Sequence, residues 1–387
     1  MVKINEKIEA SLMFASYFET LGFKNGQWEF NYNIPTKTLS SYINVFAFMN
    51  HQYMVLGGAH HIDITNWNSS DDTIMIIATC EAVIKDGGEV NYKDAYLKYF
   101  DLLYDSKRVS GANTLETLKL LKRGMTIETL PIKTDMGGNG ASMRTGPIGI
   151  CWYKNIEKVI EESICASRLT HNYYIGFLGG MVTALFTAFA INNIPAYKWC
   201  EELIKLYNNK TIKKYYPVEH NLEDLDEFMG YWKRYQETRV NKLKYKNSLD
   251  NFIFPDHRAD FLIGFFPNPK IKAMVLKGEG FTNLEGYWNK LGSSGLDSCI
   301  YAYDCLLTSM ISPGSKTLDI DNIQCNWDIF MTLVSIHPGD SDTTASIGGT
   351  WFGALYGFSD FNIERFKELE FYKEIKKLSG LFFQGNK

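Results

Sequence analysis

The sequence predicts an all-α fold, and three observations carry that expectation. Small and apolar residues recur at helical spacing: Ile74, Ile77, Ala78 and Val83 follow Asp72, and Thr344, Ile347, Gly348, Trp351 and Leu355 follow Asp342. Only ten prolines occur in 387 residues, about half the usual ~5% usage, so helix breakers are scarce. No alternating run, hairpin dipeptide or strand-helix-strand spacing competes with the helical pattern. At 45% hydrophobic and 22% charged residues, a chain of this size buries roughly 75% of its unfolded surface, enough for a large core. Length alone suggests roughly two or three domains.

The elements follow in order. Residues Met1 to Thr20 mix Lys3, Glu6, Lys7 and Glu9 into an apolar run, which denies a secretory signal its uninterrupted centre. A helix is expected from Ile74 to Ile84, entered through Ser69-Ser70-Asp71-Asp72-Thr73. The stretch Ile175 to Ile191 carries no charge and reaches the minimum membrane-spanning length. Its Gly176, Gly179, Gly180, Thr183 and Thr187, closed by Pro195, instead describe a core helix packed tightly by small residues. Between Lys205 and Asn251 the chain turns polar, yet Phe228, Trp232, Tyr235 and Leu243 keep roughly helical spacing, which describes an amphipathic surface helix. The basic residues beside Trp232, Tyr235 and Tyr245 follow an acidic run, Glu223-Asp224 and Asp226-Glu227, so a solvated face is expected there and no nucleic-acid patch. The last strong helix runs from Ala345 to Tyr356.

Charge excludes some partners. The 40 Lys and Arg nearly balance 44 Asp and Glu, for a net charge of -4, so no global field draws the protein to nucleic acid or anionic membrane. The seven cysteines show no Cys-x-x-Cys pair, which suits reduced thiols in a cytoplasmic protein.

Two segments place clustered carboxylates and hydroxyls at helix starts: Ser69-Ser70-Asp71-Asp72-Thr73 and Gly339-Asp340-Ser341-Asp342-Thr343-Thr344. Ser, Thr and Asp are ordinary N-caps, and an acidic first turn complements the helix dipole. Capping asks for one carboxylate, whereas Asp71 beside Asp72, and Asp340 near Asp342, repel unless a proton or cation intervenes. An oxygen-only ligand set selects Mg²⁺, Ca²⁺ or Mn²⁺ over zinc. Two glycine-rich segments, Gly137-Gly138-Asn139-Gly140-Ala141-Ser142-Met143-Arg144 and Gly292-Ser293-Ser294-Gly295-Leu296-Asp297, read as plain turns or as backbone cradles for an anion. His60-His61 are expected at the surface or in packing, His171 as a ligand contact or a cap, and His337 as a neighbour of the acidic segment or a loop residue. No Gly-x-Ser-x-Gly element supports a nucleophilic triad.

In this order the segments resemble the ADP-ribosylglycohydrolase family, specifically its ADP-ribosylarginine hydrolase branch. The resemblance rests on Asn25-Gly26-Gln27-Trp28-Glu29-Phe30, on Trp67 through Thr73, on Gly137 through Arg144, and on Ser167-Arg168-Leu169-Thr170-His171 with Leu185-Phe186-Thr187-Ala188. It continues through Gly292-Ser293-Ser294-Gly295 with Ala302-Tyr303-Asp304 and ends in Gly339-Asp340-Ser341-Asp342-Thr343. Two departures stand out: Phe18-Glu19-Thr20-Leu21-Gly22 where the family usually has Gly-Asp-Ala-Leu-Gly, and Leu296 where the arginine-specific branch has a histidine.

The resemblance implies one compact all-α domain over residues 1–387, with two Mg²⁺ ions, or Mn²⁺, at the bottom of an ADP-ribose cleft. It implies Ser70, Asp71, Asp72, Asp340, Asp342 and Thr343 as metal ligands, and Asp71, Asp72 and Glu29 as catalytic residues. Gly138, Asn139, Gly140, Ala141, Ser142 and Met143 would cradle phosphates or ribose, and Gly292, Ser293, Ser294, Gly295 and Asp297 would line the cleft with His171. The expected activity is removal of ADP-ribose from arginine side chains of modified proteins by a monomeric enzyme without nucleic-acid or membrane partners. The alternatives are hydrolysis of an O-linked ADP-ribose (serine, poly(ADP-ribose) or a small metabolite) and ADP-ribose binding without turnover.

Overall fold

The computed structural model describes residues 2–31, 42–84, 90–241, 290–311 and 325–385, and these contain no β-strand. Among the described residues, the α-helices of six or more residues are α1 (Ile4–Phe23), α2 (Tyr42–Val55), α3 (Asp71–Ile84), α4 (Tyr92–Lys98), α5 (Ala112–Lys122), α6 (Gly146–Cys151) and α7 (Ile156–Arg168). They continue as α8 (Tyr174–Ile191), α9 (Trp199–Asn208), α10 (Leu222–Tyr235), α11 (Gly295–Ser309), α12 (Trp327–Ser335), α13 (Ser341–Tyr356) and α14 (Tyr372–Gly385). The all-α expectation is met.

Helix α8 is the apolar stretch singled out in the sequence, and every residue in it is buried against neighbouring helices. Its small residues set how close those neighbours come. A Cβ on Gly179 would lie 2.2 Å from the Gly295 carbonyl oxygen at the start of α11, and one on Gly180 would lie 2.2 Å from Ser167 Oγ in α7. Backbone therefore passes against backbone at the point where α11 begins, and that start belongs to the second glycine-rich segment.

Helices α1 and α13 form the other tight pair. A Cβ on Gly349 would meet the Phe14 carbonyl oxygen at 2.3 Å, and one on Gly353 would meet the Ala10 carbonyl carbon at 2.3 Å. Neither obstacle is a flexible side chain, so the helices themselves must move apart. Gly349→Ala is expected to destabilise the fold by ~1–3 kcal/mol through overpacking, read as a lower urea midpoint with unchanged slope; an unchanged midpoint would show that the crossing has slack. The close crossing is what fixes Asp342, in the first turn of α13, relative to the C-terminal end of α1.

Helix α10 confirms the amphipathic reading of the polar segment. Leu225, Phe228, Met229 and Trp232 are buried, whereas Glu223, Asp226 and Arg234 face solvent. Trp232 packs edge-on against Phe186 of α8, and Tyr235 donates to Asp304, which also pairs with the buried Arg239 at 2.7 Å. The aromatic residues of this segment are thus core, as a solvated basic face requires; Leu243 and Tyr245 lie outside the described residues. All seven cysteines are free.

Candidate active site

The two acidic helix starts, distant in sequence, converge. Thr343 Oγ1 donates to Asp72 Oδ1 at 3.5 Å, joining the first turns of α13 and α3. Carboxylate oxygens of Glu29, Asp340 and Asp342 lie within 4.8 Å of one another, and all three residues are buried. Glu29 is brought in by a short 3-10 turn in which Phe30 takes a positive φ of 48° and its N–H donates to the Gly339 carbonyl at 2.7 Å. A non-glycine residue in the left-handed region carries strain that the surrounding structure must hold. Gly339 itself has φ 113°, and a Cβ there would sit 2.3 Å from the Leu291 carbonyl oxygen, so the acidic loop and the second glycine-rich segment are pressed together.

Concentrating these acids raises their affinity for protons. Burial, followed by Asp342, Asp340, Asp71 and Asp72, holds the Glu29 carboxyl well above the usual range. Burial and then Asp342 do the same for Asp72 and Asp340. Asp71 is pushed up to about 7 by burial and Asp342. Burial also raises Asp342 itself, the residue whose charge recurs beside each of the others. Three oxygens, Glu29 Oε2, Asp72 Oδ2 and Asp342 Oδ1, are buried with no hydrogen-bond partner. A buried carboxylate oxygen without a donor is costly unless a proton or cation sits on it. The donor set is all oxygen, and Ser70 and Thr343 add hydroxyls, so the residues present fit a hard divalent cation. Glu29, Asp340 and Asp342 thus form the tight group, Thr343 ties Asp72 to it, and Asp71 lies near enough for the charge of Asp342 to act on it.

Behind the ring lies a residue that sequence reasoning treated only as a departure. Glu19, on α1, is fully buried; its carboxylate accepts from the Ser70 amide, from Thr73 Oγ1 at 2.9 Å and from Thr20 Oγ1 at 3.2 Å. It therefore caps the start of α3 and holds Ser70 beside the ring. Burial pushes its pKa up to about 8. The departure from Gly-Asp-Ala-Leu-Gly keeps a carboxylate at the position of the aspartate, on a longer arm, while Phe18 joins Phe14 and Phe352 in an aromatic cluster. On the other side, Arg108 donates to the Ser69 carbonyl at 2.8 Å and forms a two-pronged ion pair with Glu370, which accepts from the Ser69 amide. Their separations of 39 and 262 residues in sequence leave no local signal for this grip.

The first glycine-rich segment reaches the ring through Asn139, whose Nδ2 donates to Asp340 Oδ2 at 2.9 Å and to the Gly292 carbonyl at 2.7 Å. Gly138 and Asn139 are partly open, whereas Gly140, Ala141, Ser142 and Met143 are buried. Ser346 Oγ donates to the Met143 carbonyl, so this part of the segment packs on α13. The second segment bridges to the first: Gly138 pairs with Ser294, and the Gly295 amide donates to the Gly137 carbonyl. Ser293 is partly open, but Asp297 is turned inward, accepting from the Gly292 and Ser294 amides and from Ser294 Oγ in a capping box. The Ser-x-x-Asp spacing was the sequence signal for that structural role. Leu296 is buried. His171 lies beneath the first turn, its ring against Gly138 and Gly140. His337 bonds the Pro338 carbonyl and Thr344 Oγ1 behind the acidic loop, and His60 pairs with Asp328 at the surface, 3.3 Å away.

Comparison with known proteins agrees with this arrangement. A family model for ADP-ribosylglycohydrolase matches residues 33–386. The chain is 30% identical over 406 residues to the ADP-ribosylhydrolase ARH1 of Dictyostelium discoideum, covering 97% of this chain and 93% of that protein. A solved ADP-ribosylglycohydrolase-related protein complex superposes with a TM-score of 0.53 at 13% identity, over 98% of this chain and 99% of its own, a likeness of fold. With the match spanning nearly every segment that builds the acidic ring, the chain belongs to the ADP-ribosylglycohydrolase family of hydrolases.

Proposed function

We propose that this chain removes ADP-ribose from arginine side chains of modified proteins by hydrolysing the N-glycosidic bond, with two Mg²⁺ or Mn²⁺ ions held by Ser70, Asp71, Asp72, Asp340, Asp342 and Thr343. The observation that carries the reading is the ring of buried carboxylates with three unpartnered oxygens, joined by Asn139 to a glycine turn. Divalent ions there would offset the carboxylate charge and supply electrophilic grip on ribose hydroxyls and water.

The remaining chemistry falls to the chain's own residues. Glycoside cleavage passes through an oxocarbenium-like state, and Glu29, Asp71 and Asp72 place negative charge where positive charge develops on the ribose. One of Glu29, Asp71 and Asp72 takes a proton from attacking water and returns one to the leaving group. That matters for arginine, because a guanidine is too strong a base to leave unprotonated. Gly138 and Asn139 are partly open and offer backbone groups for the diphosphate or ribose, and the buried start of α3 keeps solvent from the ring.

One observation favours a second reading. Leu296 presents a buried apolar side chain where the arginine-specific branch carries a histidine, so a different linkage, such as O-linked ADP-ribosyl serine, could suit the cleft. A panel of arginine-linked, serine-linked and polymeric ADP-ribose with Mg²⁺ separates the two. Free ADP-ribose is expected fastest from the arginine linkage; faster turnover of the serine linkage would transfer the assignment. Tight ADP-ribose binding with no release from any linkage would make the protein a binding module.

A further inference from the structure

Arg144 is fully buried under the first glycine turn and donates to the Gly140 carbonyl, to the Ala166 carbonyl at 3.1 Å and to Thr170 Oγ1 at 2.7 Å, with its guanidinium 4.8 Å from the Tyr96 ring centre. A guanidinium only donates, so it occupies a lone pair of Thr170 Oγ1. The other partner of that hydroxyl is His171 Nδ1, at 2.8 Å. If Nδ1 carried the proton, both neighbours would donate to Thr170 and its own buried hydroxyl hydrogen would have no acceptor. The count closes when Thr170 donates to Nδ1, which leaves the imidazole proton on Nε2. Burial and the Arg144 charge push the His171 pKa down to about 3, so the ring is neutral and has one N–H.

That N–H points into the turn. A Cβ on Gly140 would lie 3.0 Å from Nε2 and one on Gly138 would lie 3.4 Å from it, so the ring edge fills the side-chain space of both glycines, on either side of Asn139. No protein group among the described residues bonds Nε2, while Asn139 is already committed to the acidic ring.

We propose that Arg144 and Thr170 are positioning residues that lock His171 as the Nε2–H tautomer, a neutral donor aimed through the Gly138–Gly140 turn at an acceptor-only oxygen such as a diphosphate presents. The inference rests on the ADP-ribose reading for the identity of the ligand, but not for the tautomer. A relay of this kind gives a donor that does not titrate in the working pH range, unlike an exposed histidine.

The test is a long-range ¹H–¹⁵N spectrum of the full ¹⁵N-labelled chain, with His171→Gln used to identify the His171 signals, beside calorimetric ADP-ribose binding. The wild type is expected to show protonated Nε2 and bare Nδ1. Thr170→Val should move the ring toward the other tautomer and weaken ADP-ribose about three- to tenfold, the worth of one net hydrogen bond. Thr170→Ser should restore both. A proton on wild-type Nδ1, an unchanged tautomer in a folded Thr170→Val, or a changed tautomer with unchanged affinity overturns the proposal. The wild-type spectrum decides the relay even where Thr170→Val fails to fold. A wild type that binds no ADP-ribose overturns the ligand assignment, and the spectrum then judges the relay separately.

Discussion

Asp342→Asn is expected to lower ADP-ribose release by ~10²–10⁴-fold, the range for losing a group that acts on proton transfer or charge at the reacting centre. At pH 8 its metal-free form should also unfold at a higher temperature than the wild type. The two effects share one cause. Asp342 raises the proton affinity of Glu29, Asp71, Asp72 and Asp340, which identifies it as the charge every other acid in the ring opposes. Its Oδ1 is among the buried oxygens without a partner. Replacing it with an isosteric amide removes one buried charge and places an N–H₂ beside Glu29 and Asp340, whose oxygens lie within 4.8 Å of its own. Exchanging a poorly satisfied buried charge for a neutral group is often neutral or stabilising. Activity assays and thermal melts with chelator check both halves. An Asp342→Asn chain that is inactive and less stable than the metal-free wild type would show that Asp342 serves packing and not the ring's charge.

The second large effect is a pH dependence that a divalent metal should erase. Burial, the first cause in both, pushes Glu19 up to about 8 and Asp71 up to about 7 in the folded chain, against ordinary values of 4.5 and 3.8. Groups with raised carboxyl pKa values bind more protons folded than unfolded between those limits, so metal-free stability must fall as pH rises from about 4 to about 8. Mg²⁺ binds the deprotonated ring, so the rise in melting temperature on adding it should be larger at pH 8 than at pH 5. At 100-fold excess over its dissociation constant the ion adds about 2.7 kcal/mol. Urea midpoints from pH 5 to 8, with Mg²⁺ or with chelator, measure this. Metal-free stability that climbs with pH, or equal gains from Mg²⁺ at both ends, would mean the acids are not forced together by the fold.

What the sequence made legible was local. Helical spacing after Asp72 and Asp342 and the doubled carboxylates at both helix starts are patterns within a few residues, and they located α3, α13 and most of the ring. Glu19 escaped because it is one charged residue in the apolar run of α1, whose partner Ser70 lies 51 residues away; its only signal was that a carboxylate remains at a motif position that looked broken. Arg108 and Glu370 escaped for the same reason at greater range. The glycine-rich segments are legible as segments, but not what each glycine packs against. Glycine marks close approach without saying to what: Gly140 approaches His171 and Met143 packs on α13, while Gly138 and Asn139 stay partly open. Asp297, expected to line the cleft, instead satisfies its own loop's amides in a capping box.

The central claim is that Glu29, Asp71, Asp72, Asp340 and Asp342 are forced together to hold divalent cations that the hydrolysis requires. Crystals grown with Mn²⁺ and read by anomalous scattering test it most directly. The account predicts strong anomalous peaks enclosed by these carboxylates, with Ser70 and Thr343 at their edge and no peak there in Asp342→Asn. An empty ring in Mn²⁺-soaked wild-type crystals, or manganese bound only at other surface acids, would contradict it.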